Sequence, residues 1–124
     1  NHNINTLVIG HNKNQKQKSK LKHFTQITIF RLIQMLYYKA EEVGIKVIEI
    51  NEAYTSGTSF LDQEYPTKEN YNKKRRVKRG LFKTNTGKLI NSDVNAAYQI
   101  MRKYDKDLNI KYSNKLYNPI ICDV

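Results

Sequence analysis

The 124-residue chain carries 22 lysines and arginines against 11 acids, for a formal charge of +11 and a pI near 9.7. That length holds at most one domain, and that charge favours a polyanionic partner through counterion release, with nucleic acid first. One cysteine, Cys122, excludes an internal disulfide and a thiolate zinc cluster. No run of about 18 apolar residues offers a membrane span, and no signal-peptide pattern opens the chain. The first residue is Asn1 rather than methionine, so a piece of a longer soluble protein is expected.

In chain order, Asn5-Thr-Leu-Val-Ile-Gly10 is a short β-branched run closed by glycine and reads as a buried strand. His11 to Lys22 holds five lysines and no apolar period, which predicts a basic loop within reach of phosphate. His2, His11 and His23 are scattered among polar residues and read as surface histidines. From Thr25 to Val43, Ile29, Ile33, Leu36, Ala40 and Val43 recur at three- and four-residue steps, with Phe30 and Tyr37 widening the stripe. This spacing predicts a helix, with Gly44 as its C′ residue.

Ile45-Lys-Val-Ile-Glu-Ile50 predicts a second strand. A right-handed crossover would set the two strands parallel, with their C-terminal ends on the sheet edge where open α/β folds build sites. Gly10 and Glu52 fall at that edge. Ala53 to Leu89 then interrupts the pattern with turn residues, Pro66 and a dense positive run of Lys73, Lys74, Arg75, Arg76, Lys78, Arg79 and Lys83. Val77, Leu81 and Phe82 interleave those charges, so part of the segment is expected to pack back on the domain and aim arginines at a nucleic-acid backbone. Asn85-Thr-Gly87 is a tight turn between two extended pieces.

The next helix begins near Asp93. Asn91 or Ser92 can cap it, and Val94, Ala97 and Met101, flanked by Ala96 and Ile100, mark its apolar side. Asp93 has two readings: an acid favoured by the helix dipole, or a carboxylate aimed into a cleft where it holds a divalent cation. Tyr104 to Val124, with its Asn118-Pro119 turn, is expected to be a tail lying over the domain or partly disordered.

Asp93-Val-Asn-Ala-Ala97, with Arg79-Gly-Leu-Phe82, Tyr54-Thr-Ser56, Tyr38-Lys-Ala-Glu-Glu42 and Gly44-Ile-Lys-Val47, resembles the TnpB (OrfB) transposon-associated proteins from about Asn5 to Lys103. These are RuvC-like nucleases related to type V CRISPR effectors. The resemblance implies an α/β, RNase H-like (RuvC) C-terminal half: a parallel strand-helix-strand, a basic insertion and a final helix. Residues 1–103 would be the C-terminal part of the nuclease domain, with the insertion at 53–89 and the tail at 104–124.

The family site has an Asp on an early strand, a Glu at the end of a later strand and an Asp at the start of the last helix. Asp93 matches the last. The early strand is not in this chain, and the usual Glu position falls at Gly10. Glu52 follows the adjacent strand, and at about 4.8 Å between strands its carboxylate could bridge that gap. Glu52 and Asp93 are therefore the expected catalytic and magnesium-binding residues, with a solvent-facing acid at a strand end as the other reading of Glu52, and the 73–83 run is the expected phosphate contact. The family's four-cysteine zinc ribbon has no counterpart, since Ser56 to Asp62 lacks cysteine, so no structural zinc is expected. The insertion would instead be held by packing of Phe60, Leu61, Leu81 and Phe82, or be loose.

For the parent protein the resemblance implies magnesium-dependent DNA cleavage directed by a guide RNA, in the cytoplasm or at a bacterial nucleoid. This chain alone is expected to be inactive, because one carboxylate strand is missing. The alternatives are a catalytically dead nucleic-acid-binding remnant of a transposase and a domain that only docks a protein partner.

Overall fold

The structure, a computed structural model, describes residues 4–11 and 20–108. Most of the predicted basic loop, the tail beyond 108 and Cys122 lie outside the described residues. The chain divides into two compact units, residues 1–50 and 51–124.

In the first unit, β1 (Thr6–His11) and β2 (Lys46–Asn51) are hydrogen-bonded neighbours joined by α1 (Lys20–Glu42). Lys46 N–H donates to the Asn5 carbonyl at 2.9 Å, tying the starts of the two strands, which run parallel with the helix as crossover. α1 begins at Lys20, upstream of the predicted start at Thr25. It ends as predicted: Gly44 takes φ 73°, and Ile45 N–H reaches back to the Ala40 carbonyl at 2.9 Å. Of the predicted stripe, Ile33 and Ala40 are buried and Leu36 half-buried, while Ile29 and Val43 are exposed.

The second unit shows that the insertion is ordered structure. A 3-10 turn (Lys73–Arg75) leads into β3 (Arg76–Lys78), β4 (Leu81–Lys83) and β5 (Leu89–Asn91), a three-stranded antiparallel sheet, and then α2 (Ser92–Tyr104). The turn expected at Asn85-Thr-Gly87 joins β4 to β5, with Gly87 at φ 84° and paired backbone bonds between Thr84 and Lys88 or Gly87. Phe82 sits directly opposite Ile90, and both are fully buried. With Phe60 they form the core, against which Leu61, Val94, Tyr98 and Leu108 pack. The Tyr98 ring stacks on Phe60 at 4.8 Å.

α2 corrects one expectation. Its buried residues are Ser92, Asn95, Gln99 and Arg102, spaced by three, four and three along one polar face. Ala97 and Met101 are exposed. The partner of this face is not an apolar surface but the backbone of residues 58–64, and buried backbone groups require donors and acceptors. Among the described residues no helix is long and apolar enough to cross a membrane.

Candidate nucleic-acid interface and carboxylates

The polar face of α2 is what holds the insertion. Asn95 Oδ1 accepts from Phe60 N–H at 3.0 Å, while its Nδ2 donates to the Thr58 carbonyl at 2.9 Å. Gln99 Nε2 donates to Thr58 Oγ1 and to the Glu64 carbonyl, at 2.9 and 3.0 Å. Arg102 donates to the carbonyls of Phe60 and Glu64, both at 3.1 Å, to Gln99 Oε1, and to the Leu108 carbonyl, and its guanidinium lies 4.3 Å from the Phe60 ring centroid. Packing of Phe60 and Phe82 does contribute, but three buried residues of one helix satisfy a loop that its side chains alone could not fix. Sequence reasoning passed over Asn95, Gln99 and Arg102. The available signal was their three- and four-residue spacing, on the same helix whose apolar positions Val94, Ala97 and Met101 the sequence reading followed instead.

Asp93 stands in the first turn of α2. Of the two candidate caps the fold uses Asn91, whose Oδ1 accepts from Asp93 N–H and Val94 N–H at 3.0 and 3.1 Å. Ser92 is buried, and its hydroxyl has no partner among the described residues. Ser92 N–H donates to the Gly80 carbonyl at 3.0 Å, which pins the helix start to the turn between β3 and β4. Gly80 takes φ 76° in that turn, a conformation that costs glycine nothing. Asp93 thus follows directly on the residue bonded to the turn of Arg79 and Gly80, which Lys78 precedes at the end of β3. Its carboxylate is exposed.

Glu52, also exposed, lies in a heavily tied turn. Asn51 Oδ1 accepts from Ala53 N–H at 2.9 Å, and the Glu52 carbonyl accepts from Thr55 N–H and Thr55 Oγ1 at 3.2 and 2.7 Å. Lys103, in the last turn of α2, donates from Nζ to the Asn51 and Ala53 carbonyls at 2.6 and 2.7 Å. Partial burial lowers the Lys103 ammonium below the ordinary lysine range, and the nearby Glu52 charge opposes that shift. About 15 Å of helix separates Asp93 from Lys103. Both acids are thus referred to one helix, Asp93 rooted in its first turn and the Glu52 turn held by its last.

Among the described residues no group of three or more His, Cys, Asp or Glu side chains gathers to hold a metal ion. Two exposed carboxylates are oxygen donors of the kind magnesium accepts, since that ion is commonly held by one or two carboxylates with waters and phosphate oxygens.

The basic run is not uniform. Lys73, Lys74, Arg76, Lys78, Arg79 and Lys83 are exposed. Arg75 differs: its guanidinium grips both oxygens of the Glu64 carboxylate, with NH2 at 2.7 Å from Oε1, and that bond raises the guanidinium further above its ordinary range. Glu64 also accepts from Ser59 N–H at 2.8 Å. Arg75 therefore closes the 58–64 loop onto the 3-10 turn, whereas the remaining cations project from the turn and from β3, the edge strand, and β4. Lys74, Val77, Lys83, Thr84 and Asn85 line an open recess of about 230 Å³.

No curated protein matches this chain. Residues 30–100, more than half of it, match the family described as Cas12f1-like, TNB domain. That span takes in the C-terminal half of α1, β2, the tied turn at Glu52, the antiparallel sheet and most of α2. The chain belongs to the Cas12f1-like TNB domain family, which is related to the TnpB proteins and type V effectors.

Proposed function

We propose that this chain is the nucleic-acid-binding C-terminal part of a TnpB-like, RuvC-like nuclease, in which the 73–83 segment contacts phosphates and Glu52 and Asp93 contribute carboxylates to a magnesium site. The observation that carries the reading is the bond from Ser92 N–H to the Gly80 carbonyl, which couples the acid-bearing helix start to the basic hairpin turn. A phosphodiester drawn to Lys78, Arg79 and Lys83 would lie next to Asp93.

Each part has a physical task in this reading. The exposed cations neutralise phosphates and position the strand without reading its sequence. The three-stranded sheet supplies the rigid base that a loop would lack. Magnesium, when bound, supplies charge stabilisation at the phosphoryl oxygens and an activated water. Glu52 and Asp93 would hold it from the tied turn and from the first turn of α2. The RNase H-like arrangement, the DNA substrate and the guide RNA all belong to the parent protein in this proposal. Cleavage would need the carboxylate strand that the family carries ahead of this region.

The test of the interface is the salt dependence of binding to DNA and RNA oligonucleotides. Replacing Lys78, Arg79 and Lys83 with glutamine is expected to reduce the slope of log K against log salt by about 2–3 on duplex DNA. An unchanged slope would remove this segment as the contact. For the catalytic part, the chain is combined with the missing nuclease portion and magnesium, and cutting is followed with and without Asp93→Ala. A second reading, a catalytically inactive binding remnant, is favoured by Gly10 at the usual glutamate position and predicts no restored cutting with binding intact.

A further inference from the structure

Resting on the assignment of Glu52 as a metal-facing carboxylate, we infer that Lys103 is a positioning residue for it. Lys103 is the only side chain among the described residues that reaches the carbonyls on both sides of Glu52, bonding Asn51 and Ala53 at 2.6 and 2.7 Å. This bridge fixes the peptide plane before Glu52 and the one after Ala53, while the bonds from the Ala53 amide and to the Glu52 carbonyl fix the plane between them, and together they set the direction in which the Glu52 Cα–Cβ bond leaves the backbone.

The other bonds of the turn act toward the same end. Asn51 Oδ1 takes the Ala53 amide, and Thr55 takes the Glu52 carbonyl twice. Tyr54 is held at φ 66°, a conformation that a non-glycine residue adopts only when its surroundings impose it. Thr58 Oγ1 donates to the Tyr54 carbonyl at 2.7 Å, linking the turn to the loop that α2 clamps. All this ordering surrounds a carboxylate that is exposed and has no hydrogen-bond partner among the described residues. Here the framework leads to α2, so one helix sets the placement of Glu52 relative to Asp93.

The ammonium also sets a local field. It lies close enough to Glu52 for the two charges to interact. Because it is spent on two backbone carbonyls, it orders the turn without occupying the carboxylate as a direct ion pair would, and the glutamate oxygens stay available to a cation.

The experiment uses the full chain with three variants: Lys103→Met, which keeps most of the stem and removes the donors; Lys103→Arg, which keeps charge and donors; and Glu52→Gln. Amide hydrogen exchange is read at Ala53 and Thr55, with Phe82 and Ile90 as internal controls of the core. Manganese, a paramagnetic stand-in for magnesium, is titrated while broadening of the Glu52 and Asp93 signals is followed. Lys103→Met is expected to speed exchange at Ala53 and Thr55 by roughly tenfold, the loss of charge-assisted bonds to carbonyls, with the core amides unchanged. The manganese effect at Glu52 is expected to weaken several-fold while that at Asp93 persists, and Lys103→Arg to restore most of both.

Exchange at Ala53 and Thr55 that stays at the parent rate in Lys103→Met overturns the positioning role, whatever manganese does. A parent chain in which manganese never broadens Glu52, or broadens it equally in Glu52→Gln, overturns the metal assignment on which the role rests. The exchange arm, read without metal, tells the two failures apart.

Discussion

The Arg75 guanidinium holds both carboxylate oxygens of Glu64, and the two side chains are only 14% and 16% exposed. This pair closes the insertion at the place where a basic run would otherwise read as seven equivalent phosphate contacts. Arg75→Met is expected to destabilise the chain by about 2 kcal/mol, because Glu64 would lose its charge-assisted bonds while remaining largely buried. Lys73→Ala or Arg76→Ala, at exposed positions, is expected to stay within about 0.5 kcal/mol. Urea unfolding of the three variants makes the comparison. A double-mutant cycle with Glu64→Gln isolates the coupling.

Asn95 gives a sharper contrast between pattern and packing. Asn95→Leu would make α2 more amphipathic on paper, yet it would strand the buried Phe60 N–H and Thr58 carbonyl together. A loss of about 2–4 kcal/mol is expected from those unpaired groups. Ala97→Leu on the exposed side is expected to change stability by less than about 0.5 kcal/mol. Equal effects from the two substitutions would show that the polar face does not carry the loop.

At the start of α2, Asn91 and Ser92 are expected to behave oppositely although either could have been the cap. Asn91→Ala removes the acceptor for two amides and is expected to cost about 1 kcal/mol. Ser92→Ala removes a buried hydroxyl without a partner and is expected to be neutral or stabilising by up to about 1 kcal/mol. Thermal melts of the single variants decide the order.

In the first unit, Tyr37 O–H donates to Glu49 at 2.9 Å, and this bond, ahead of burial and the Glu49 charge, raises the phenol above its ordinary 10.0. The raised value means that the folded chain retains this proton more tightly than the unfolded chain does. Whatever the bond contributes is therefore fully present below about pH 10 and is lost as the pH rises through the folded value. Carbon NMR of the tyrosine rings is expected to show Tyr37 ionising at higher pH in the parent than in Glu49→Gln.

No thiolate cluster gathers in the second unit among the described residues, and hydrogen bonds from α2 fasten the segment where the family's zinc ribbon is expected. A strong chelator is therefore expected to leave the melting temperature of the chain unchanged. A drop on chelation that zinc reverses would show that metal, not the polar clamp, fastens the insertion.

Local signals alone determined much of this protein. The β-branched runs, the periodic helix with Gly44 behind it, the Asn85-Thr-Gly87 turn and the short blocks around Asp93 all act through neighbours in the chain, and each was legible for that reason. The excess of lysine and arginine was likewise legible as a positive charge that favours polyanions. Tertiary structure decided the rest. Arg75 is an anchor while Arg76 is a surface charge, and nothing within a few residues distinguishes them, because the difference lies in Glu64. Asn95, Gln99 and Arg102 face inward because the backbone they meet needs hydrogen bonds, a demand set by residues some 35 to 42 positions away. The hold of Lys103 on the Glu52 turn spans 50 or more residues, a relationship that only the folded chain brings into being.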